Sequence, residues 1–449
     1  MDNTNTFIRH IEVAVVSAVP LSILSDLRNR FELFLSQKKF EDQFPGGKDG
    51  EIDIKILPNE LHPQHPCRLV NVRIVDDNED AQCFSSTFIY KVHTYELSNE
   101  EISTEEIDPS ASGGDDEWVA GCDNLVLPHV SLHGVWESLI FDCNVKKQLL
   151  AYAQSAILFS DKEVSPHVVQ WNRILLLHGP PGTGKTSLNK GLAQKLAIRL
   201  STRFPRSTLL EIHSHSLFSK WFSTSGKLVS ALFSMVRDMV EDDPHCLVCV
   251  LIDEIESLAS SRSQQQGGDP SDAMRAVNSL LTSLDRLKSF PNVMVLATTN
   301  LTGQIDAAFV DRVDLKLHIN VPIFRARYEI LRTCVEELVR VGIVVGPRKN
   351  VADNSSVAMS TEYASKELFV DFIVAEKEER EQIDGDESGM LLSCSRDADG
   401  LSGRSLRRLP LQAHTQFLSS RNDGGLSLKS FLLALSLAIQ SEQKARLEV

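Results

Sequence analysis

A chain of 449 residues is longer than one hydrophobic core usually supports, and 42% hydrophobic content is enough to fill two or three. The formal charge of −15 argues against direct nucleic-acid binding, because neutralising phosphate needs a basic surface. No apolar run is long enough to cross a bilayer, so no membrane contact is expected.

The first apolar run, Ile11–Leu24, resembles a signal core, but it contains Glu12 and Pro20 and lacks a cationic leader. It reads as the first strand of a folded domain. Eight cysteines without a secretory signal then read as reduced thiols of a cytosolic or nuclear protein. Ser22–Leu35 places Leu24, Leu27, Phe31, Phe34 and Leu35 at helical spacing, while Glu51–Leu57 and Arg68–Val75 alternate as strands do. Residues 1–95 are therefore expected to form a small α+β domain. Glu96–Glu117 carries nine acidic residues and no basic one, with Pro109 and Gly113–Gly114 near its end. Such a segment buries too little apolar area to order itself, so 96–120 is expected to be a linker.

Residues 121–322 change character. Arg173–His178, Thr208–Ile212, Cys246–Ile252 and Asn292–Ala297 are apolar on both faces, as strands of a parallel sheet covered by helices are. Helical stretches at Thr186–Leu200, Leu228–Val240 and Asp272–Leu287 alternate with them, which predicts a doubly wound α/β fold. Cys246 and Cys249 form a C-x-x-C, but no further zinc ligands follow closely, and a buried strand is the better reading. Residues 323–449 read as mostly helical, interrupted by polar Asn350–Ser360 and acidic Glu376–Glu387.

Chemistry is concentrated where strands end. Gly179-Pro-Pro-Gly-Thr-Gly-Lys-Thr186 fits the phosphate-loop pattern G-x-x-x-x-G-K-[ST], with a strand before it and a helix after. Its glycines let backbone N–H groups curl around phosphates, and the helix N-terminus adds partial positive charge. Gly179, Pro180, Pro181, Gly182, Thr183, Gly184, Lys185, Thr186 and Ser187 are the candidate ATP-binding set, with Lys185 on the β- and γ-phosphates and the Thr186 hydroxyl on Mg2+. Leu247–Ile252 ends in Asp253 and Glu254: the first would hold Mg2+ through its water shell, the second would polarise the attacking water as general base. Asn300, ending the next strand, would hold the lytic water or γ-phosphate, though a lone Asn also forms turns. Arg312 closes the short helix Asp306–Arg312, either reaching a neighbouring subunit's nucleotide or capping its own helix. Arg404, opening a C-terminal amphipathic helix, would contact the γ-phosphate. Lys220, Trp221 and Phe222 read equally as a buried corner or as a pore loop gripping extended peptide.

Taken in order, these elements resemble the AAA+ superfamily. His213-Ser-His-Ser-Leu-Phe-Ser-Lys-Trp-Phe-Ser223, Leu251-Ile-Asp-Glu-Ile-Glu-Ser-Leu258, Ala308-Phe-Val-Asp-Arg312 and Gly400-Leu-Ser-Gly-Arg-Ser-Leu-Arg-Arg-Leu-Pro410 resemble the pachytene checkpoint protein 2 family, whose animal members are called thyroid receptor-interacting protein thirteen. The resemblance covers roughly residues 125–325 and 398–440. It implies an AAA+ P-loop ATPase with a C-terminal helical lid and a small α+β N-terminal domain that docks the substrate or its adaptor. It implies a homohexamer that converts HORMA-domain proteins from closed to open form, in spindle-checkpoint silencing and meiotic chromosome-axis control. Location in nucleus and cytoplasm, on chromosomes and kinetochores, follows from the same resemblance. Lys185, Thr186, Asp253, Glu254, Asn300, Arg312 and Arg404 carry over by position, as do the pore residues Lys220, Trp221 and Phe222. Thr224 departs from the family, which has Glu there, and a single arginine stands where many AAA+ proteins carry two. The alternatives are a AAA+ disassembly motor for another client and a nucleotide-binding scaffold without turnover. An intact Glu254 argues against the scaffold.

Overall fold

The computed structural model describes residues 6–16, 21–36, 50–52, 68–76, 87–107, 119–141, 144–165, 167–214, 225–257, 270–301, 305–346, 369, 372, 375, 387–417 and 426–447. The chain divides into two compact units. The first comprises residues 1–139, 144–178 and 185–318; the second comprises 140–143, 179–184 and 319–449.

The first unit holds two sheets. The smaller has the order β2-β3-β1-β4, from β1 (Thr6–Val16), β2 (Gly50–Ile52), β3 (Arg68–Asp76) and β4 (Thr87–Glu96). Alternation along β1 sends Ile11, Val13 and Val15 to one face, where Leu27, Phe31 and Phe34 of α1 (Leu21–Ser36) complete a core with Leu69, Val72 and Val92. The run Ile11–Leu24 is thus not one strand: β1 ends at Val16, and Leu21–Leu24 already belong to α1, whose spacing turns Leu27 and Phe31 onto the sheet.

The larger sheet has the order β11-β7-β10-β9-β8-β6-β5. Parallel strands β7 (Ile174–His178), β8 (Arg206–Ile212), β9 (Cys246–Ile252) and β10 (Val293–Thr299) form its centre, and parallel β11 (Leu315–His318) is one edge. β6 (Val119–Leu127) and β5 (Ser103–Ile107) extend it antiparallel. That corrects the expected linker, since Ser103–Ile107 is an edge strand. Its polar side chains find partners across the ladder: Thr104 Oγ1 donates to Asp123 at 2.8 Å, and Asn124 Nδ2 donates to Glu105 at 3.3 Å. Acidic composition here marks a charged sheet edge. Strands β7, β9 and β10 are buried on both faces, and Cys249 of β9 and Cys122 of β6 are core residues. Burial pushes the Cys122 and Cys249 thiols up to about 12 and Cys246 up to about 11, which leaves C-x-x-C a pair of protonated thiols.

Helix α4 (Lys185–Arg199) buries twelve of its fifteen residues, including Lys195 and Arg199. It meets β8, β9 and β10 of the large sheet, β4 of the small sheet, and α2 (Val135–Ser138), so little of it faces water. Buried charges require partners. Lys195 Nζ binds the Glu12 carboxylate on the second face of β1 and lies 2.5 Å from Glu137, which Arg73 approaches at 2.9 Å. Burial opposes ionisation of Glu137, but Lys195 and Arg73 outweigh it and hold the carboxyl down at about 2. The small sheet is thereby clamped to α4 by charge.

The second unit packs α8 (Phe324–Arg340), α9 (Glu387–Asp397), α10 (Gly403–Phe417) and α11 (Leu428–Leu447) around Tyr328, Leu331, Leu391, Leu406 and Phe431. A short parallel pair joins β12 (Val344–Val345) to β13 (Leu426–Ser427). Cys394 sits in this core, and burial raises its thiol to about 12.

Candidate active site

Within the first unit the site assembles where β9 and β10 end beside the start of α4. The strands pair in register up to Ala297↔Ile252, so the residues that follow, Thr298 and Asp253, leave the ladder side by side. Thr186 Oγ1 donates to Asp253 Oδ1 at 2.8 Å, and the Thr298 hydroxyl donates to the same oxygen. Ser214, just past β8, donates its hydroxyl to the Asp253 carbonyl at 2.9 Å. Glu254 adopts a left-handed backbone with φ 52°, and its N–H donates to Thr298 Oγ1 at 3.1 Å. Asn300 Nδ2 reaches Glu254 Oε1 at 3.4 Å, while the Asn300 N–H donates to Glu256 Oε1 at 3.1 Å. Thr186, Asp253, Glu254 and Asn300 therefore form one connected cluster. Thr298, Ser214 and Glu256 belong to it too and were not foreseen. The one signal for Thr298 was a polar pair, Thr298-Thr299, closing an otherwise apolar strand. Lys185 is 5% exposed at the head of α4, one peptide bond beyond the loop.

Arg312 ends α7 (Ala307–Arg312), which Asp306 caps by accepting from the Ala308 N–H. Its guanidinium is forked onto Asp285 of α6 (Pro270–Leu287), with Nε–Oδ1 at 3.1 Å and Nη2–Oδ2 at 2.8 Å. A third donor, Nη1, reaches the Ala308 carbonyl at 2.8 Å. The Arg312 hydrogen bond holds the Asp285 carboxyl below its usual range. In this chain Arg312 ties its own helix to α6.

Within the second unit the loop 179–184 shows why glycine is needed. At Gly179, φ 143°, a Cβ would stand 2.2 Å from the Ile319 carbonyl oxygen; at Gly182, φ 76°, it would stand 2.8 Å from Ser402 Oγ. Thr183 Oγ1 closes the turn by donating to the Pro180 carbonyl at 3.0 Å. The Arg404 N–H donates to the Gly182 carbonyl at 3.0 Å, which seats the start of α10 on the loop and leaves the Arg404 side chain exposed. Pro180, Pro181 and Ser187 are exposed as well. Lys220, Trp221, Phe222 and Thr224 lie outside the described residues.

The oxygens of Thr186 and Asp253, 2.8 Å apart at the foot of a phosphate loop, are the hard donors that Mg2+ prefers, so the residues present fit that ion.

A phosphate loop, a strand-end carboxylate pair and a strand order that places β7 between β10 and β11 define an AAA+ ATPase. A family model described as "ATPase family associated with various cellular activities (AAA)" matches residues 175–321, and one described as "TRIP13-like, AAA+ ATPase lid C-terminal domain" matches 323–443. The pachytene checkpoint protein 2 homolog of Oryza sativa subsp. indica is 42% identical over 402 residues, 88% of this chain and 80% of that protein. A solved structure of C. elegans PCH-2 superposes with a TM-score of 0.73 at 30% identity, covering 98% of this chain and 100% of that one. The fold is shared further with an E. coli MS115-1 HORMA:CdnC:Trip13 complex, with a TM-score of 0.50 at 18% identity over 70% of this chain and 93% of that one. The chain belongs to the pachytene checkpoint protein 2 family of AAA+ ATPases.

Proposed function

We propose that this ATPase is a homohexameric protein remodeller whose client is a HORMA-domain protein, presented directly or through an adaptor. Family membership carries the reading, and the E. coli neighbour that is solved together with a HORMA protein supports it. The loop Gly179–Gly184 and Lys185 hold the triphosphate of ATP. Thr186 and Asp253, the latter through the ion's water shell, would hold Mg2+, which would neutralise charge on the phosphates. Glu254 accepts the proton of the attacking water, and Asn300, 3.4 Å from its carboxylate, fixes its direction. Arg404 meets the γ-phosphate from the lid. Lys220, Trp221 and Phe222 grip the client's extended N-terminus in the ring pore. Arg312 acts in trans only by exchanging Asp285 for a neighbour's nucleotide. The cellular roles are checkpoint silencing and control of the meiotic chromosome axis, in nucleus and cytoplasm at chromosomes and kinetochores.

ATP hydrolysis by the purified chain, with and without a closed HORMA-domain protein and its adaptor, tests the proposal. Stimulation by the client is the expected result. Turnover that no HORMA protein changes would leave the ATPase and remove the client.

A further inference from the structure

Glu254 must point its carboxylate at a water while its backbone sits at φ 52°, a region that a residue with a Cβ enters only when its surroundings hold it there. What holds it is on the next strand. Thr298 is 2% exposed, accepts the Glu254 N–H at 3.1 Å, and donates its own proton to Asp253 Oδ1. One hydroxyl thus grips the backbone of the general base and the carboxylate of its neighbour, using its donor on one and a lone pair on the other. Thr186 donates to the same Asp253 oxygen, so that carboxylate is fixed from two elements.

We propose that Thr298 is a positioning residue for hydrolysis: it keeps the left-handed turn at Glu254 and the orientation of the Asp253 carboxylate, and thereby aims the general base. This rests on the assignment of Glu254 as that base. Valine has the same branched shape but lacks the hydroxyl, so Thr298→Val removes both hydrogen bonds while filling nearly the same space. Serine restores the hydroxyl.

The experiment compares wild type, Thr298→Val, Thr298→Ser and Glu254→Gln as full chains, reading kcat, KM for ATP, affinity for a fluorescent ATP analogue, and melting temperature. Thr298→Val is expected to lower kcat by about ten- to a hundredfold, with KM and analogue affinity within about threefold of wild type. Thr298→Ser should recover most of the kcat. A wild-type kcat in Thr298→Val overturns the proposal, as does a kcat loss that serine fails to repair while both variants melt like wild type. If Thr298→Val does not fold, Thr298→Ser and Thr298→Ala decide: equal turnover in the two overturns it. Should Glu254→Gln turn over normally, the general-base assignment fails, and not the link from Thr298 to the turn.

Discussion

The two ends of α4 are held in opposite ways. At its C-terminal end Lys195 is 3% exposed and meets Glu12 and Glu137, while Arg199 stands 3.9 Å from Glu12. At its N-terminal end the Thr186 hydroxyl meets the Asp253 carboxylate, next to the left-handed turn at Glu254. Charges at the first end answer each other, and the result is a joint. Hydroxyls and carboxylates at the second end orient one another without opposite charges to neutralise them, and the result is the candidate site. Buried polarity alone does not separate the two; what separates them is whether opposite charges meet inside the protein.

Breaking each end should therefore give a different phenotype. The largest effect is expected from Glu254→Gln, which keeps the phosphate and Mg2+ contacts and lowers kcat by about a thousandfold, with binding of a fluorescent ATP analogue retained. Single-turnover hydrolysis measures it, and a near-normal rate would detach Glu254 from the chemistry. Lys195→Met attacks the other end by leaving Glu12 buried without its ammonium, while Glu137 keeps Arg73. A destabilisation of about 3–5 kcal/mol is expected in the denaturant midpoint, and adding Glu12→Gln should recover part of it. If Lys195→Met changes turnover but not stability, the joint has been misread.

Arg312 lies between the two cases. A tie within the chain predicts that Arg312→Ala and Asp285→Asn lose similar stability, about 1 kcal/mol for so accessible a pair, with similar small effects on rate. A role in trans predicts that Arg312→Ala alone lowers kcat by about a hundredfold or more. A further effect, of the same order, is a pH dependence at the small sheet. His93 stacks on His10, with ring nitrogens 2.9 Å apart. Burial first, then His10, Arg199, Arg28 and Lys91, pull its pKa down to about 3. The folded chain therefore keeps His93 neutral, whereas the unfolded chain takes up a proton below about pH 6.5. Its contribution is complete above that pH and is lost as pH falls toward 3. Between pH 7.5 and 5 stability should drop by about 1–2 kcal/mol through this residue, and His93→Gln should flatten that slope.

Much of the site was legible because its signals are local. A glycine pattern between strand and helix, or an apolar strand ending in Asp253-Glu254, needs nothing from the rest of the chain. Strands β7, β8, β9 and β10 of the large sheet were legible for the same reason: burial writes a continuous apolar run. Ser103–Ile107 was not, because an edge strand owes its order to a ladder with β6 that composition does not encode. Glu12 was read only as a break in an apolar run, and its partner Lys195 lies 183 residues away in a helix whose lysine looks like any surface lysine. Thr298 escaped because a single hydroxyl becomes informative only once Asp253 and Glu254 stand next to it.

The sulfur atoms offer a clock. Cys249 in the central strand β9 and Cys394 in the lid are both sealed, with thiols raised to about 12, so a maleimide can reach them only when their own core opens. Variants that keep one of the pair and replace the remaining cysteines with alanine or serine would then time the opening of the ATPase sheet and of the helical lid separately, without a foreign label.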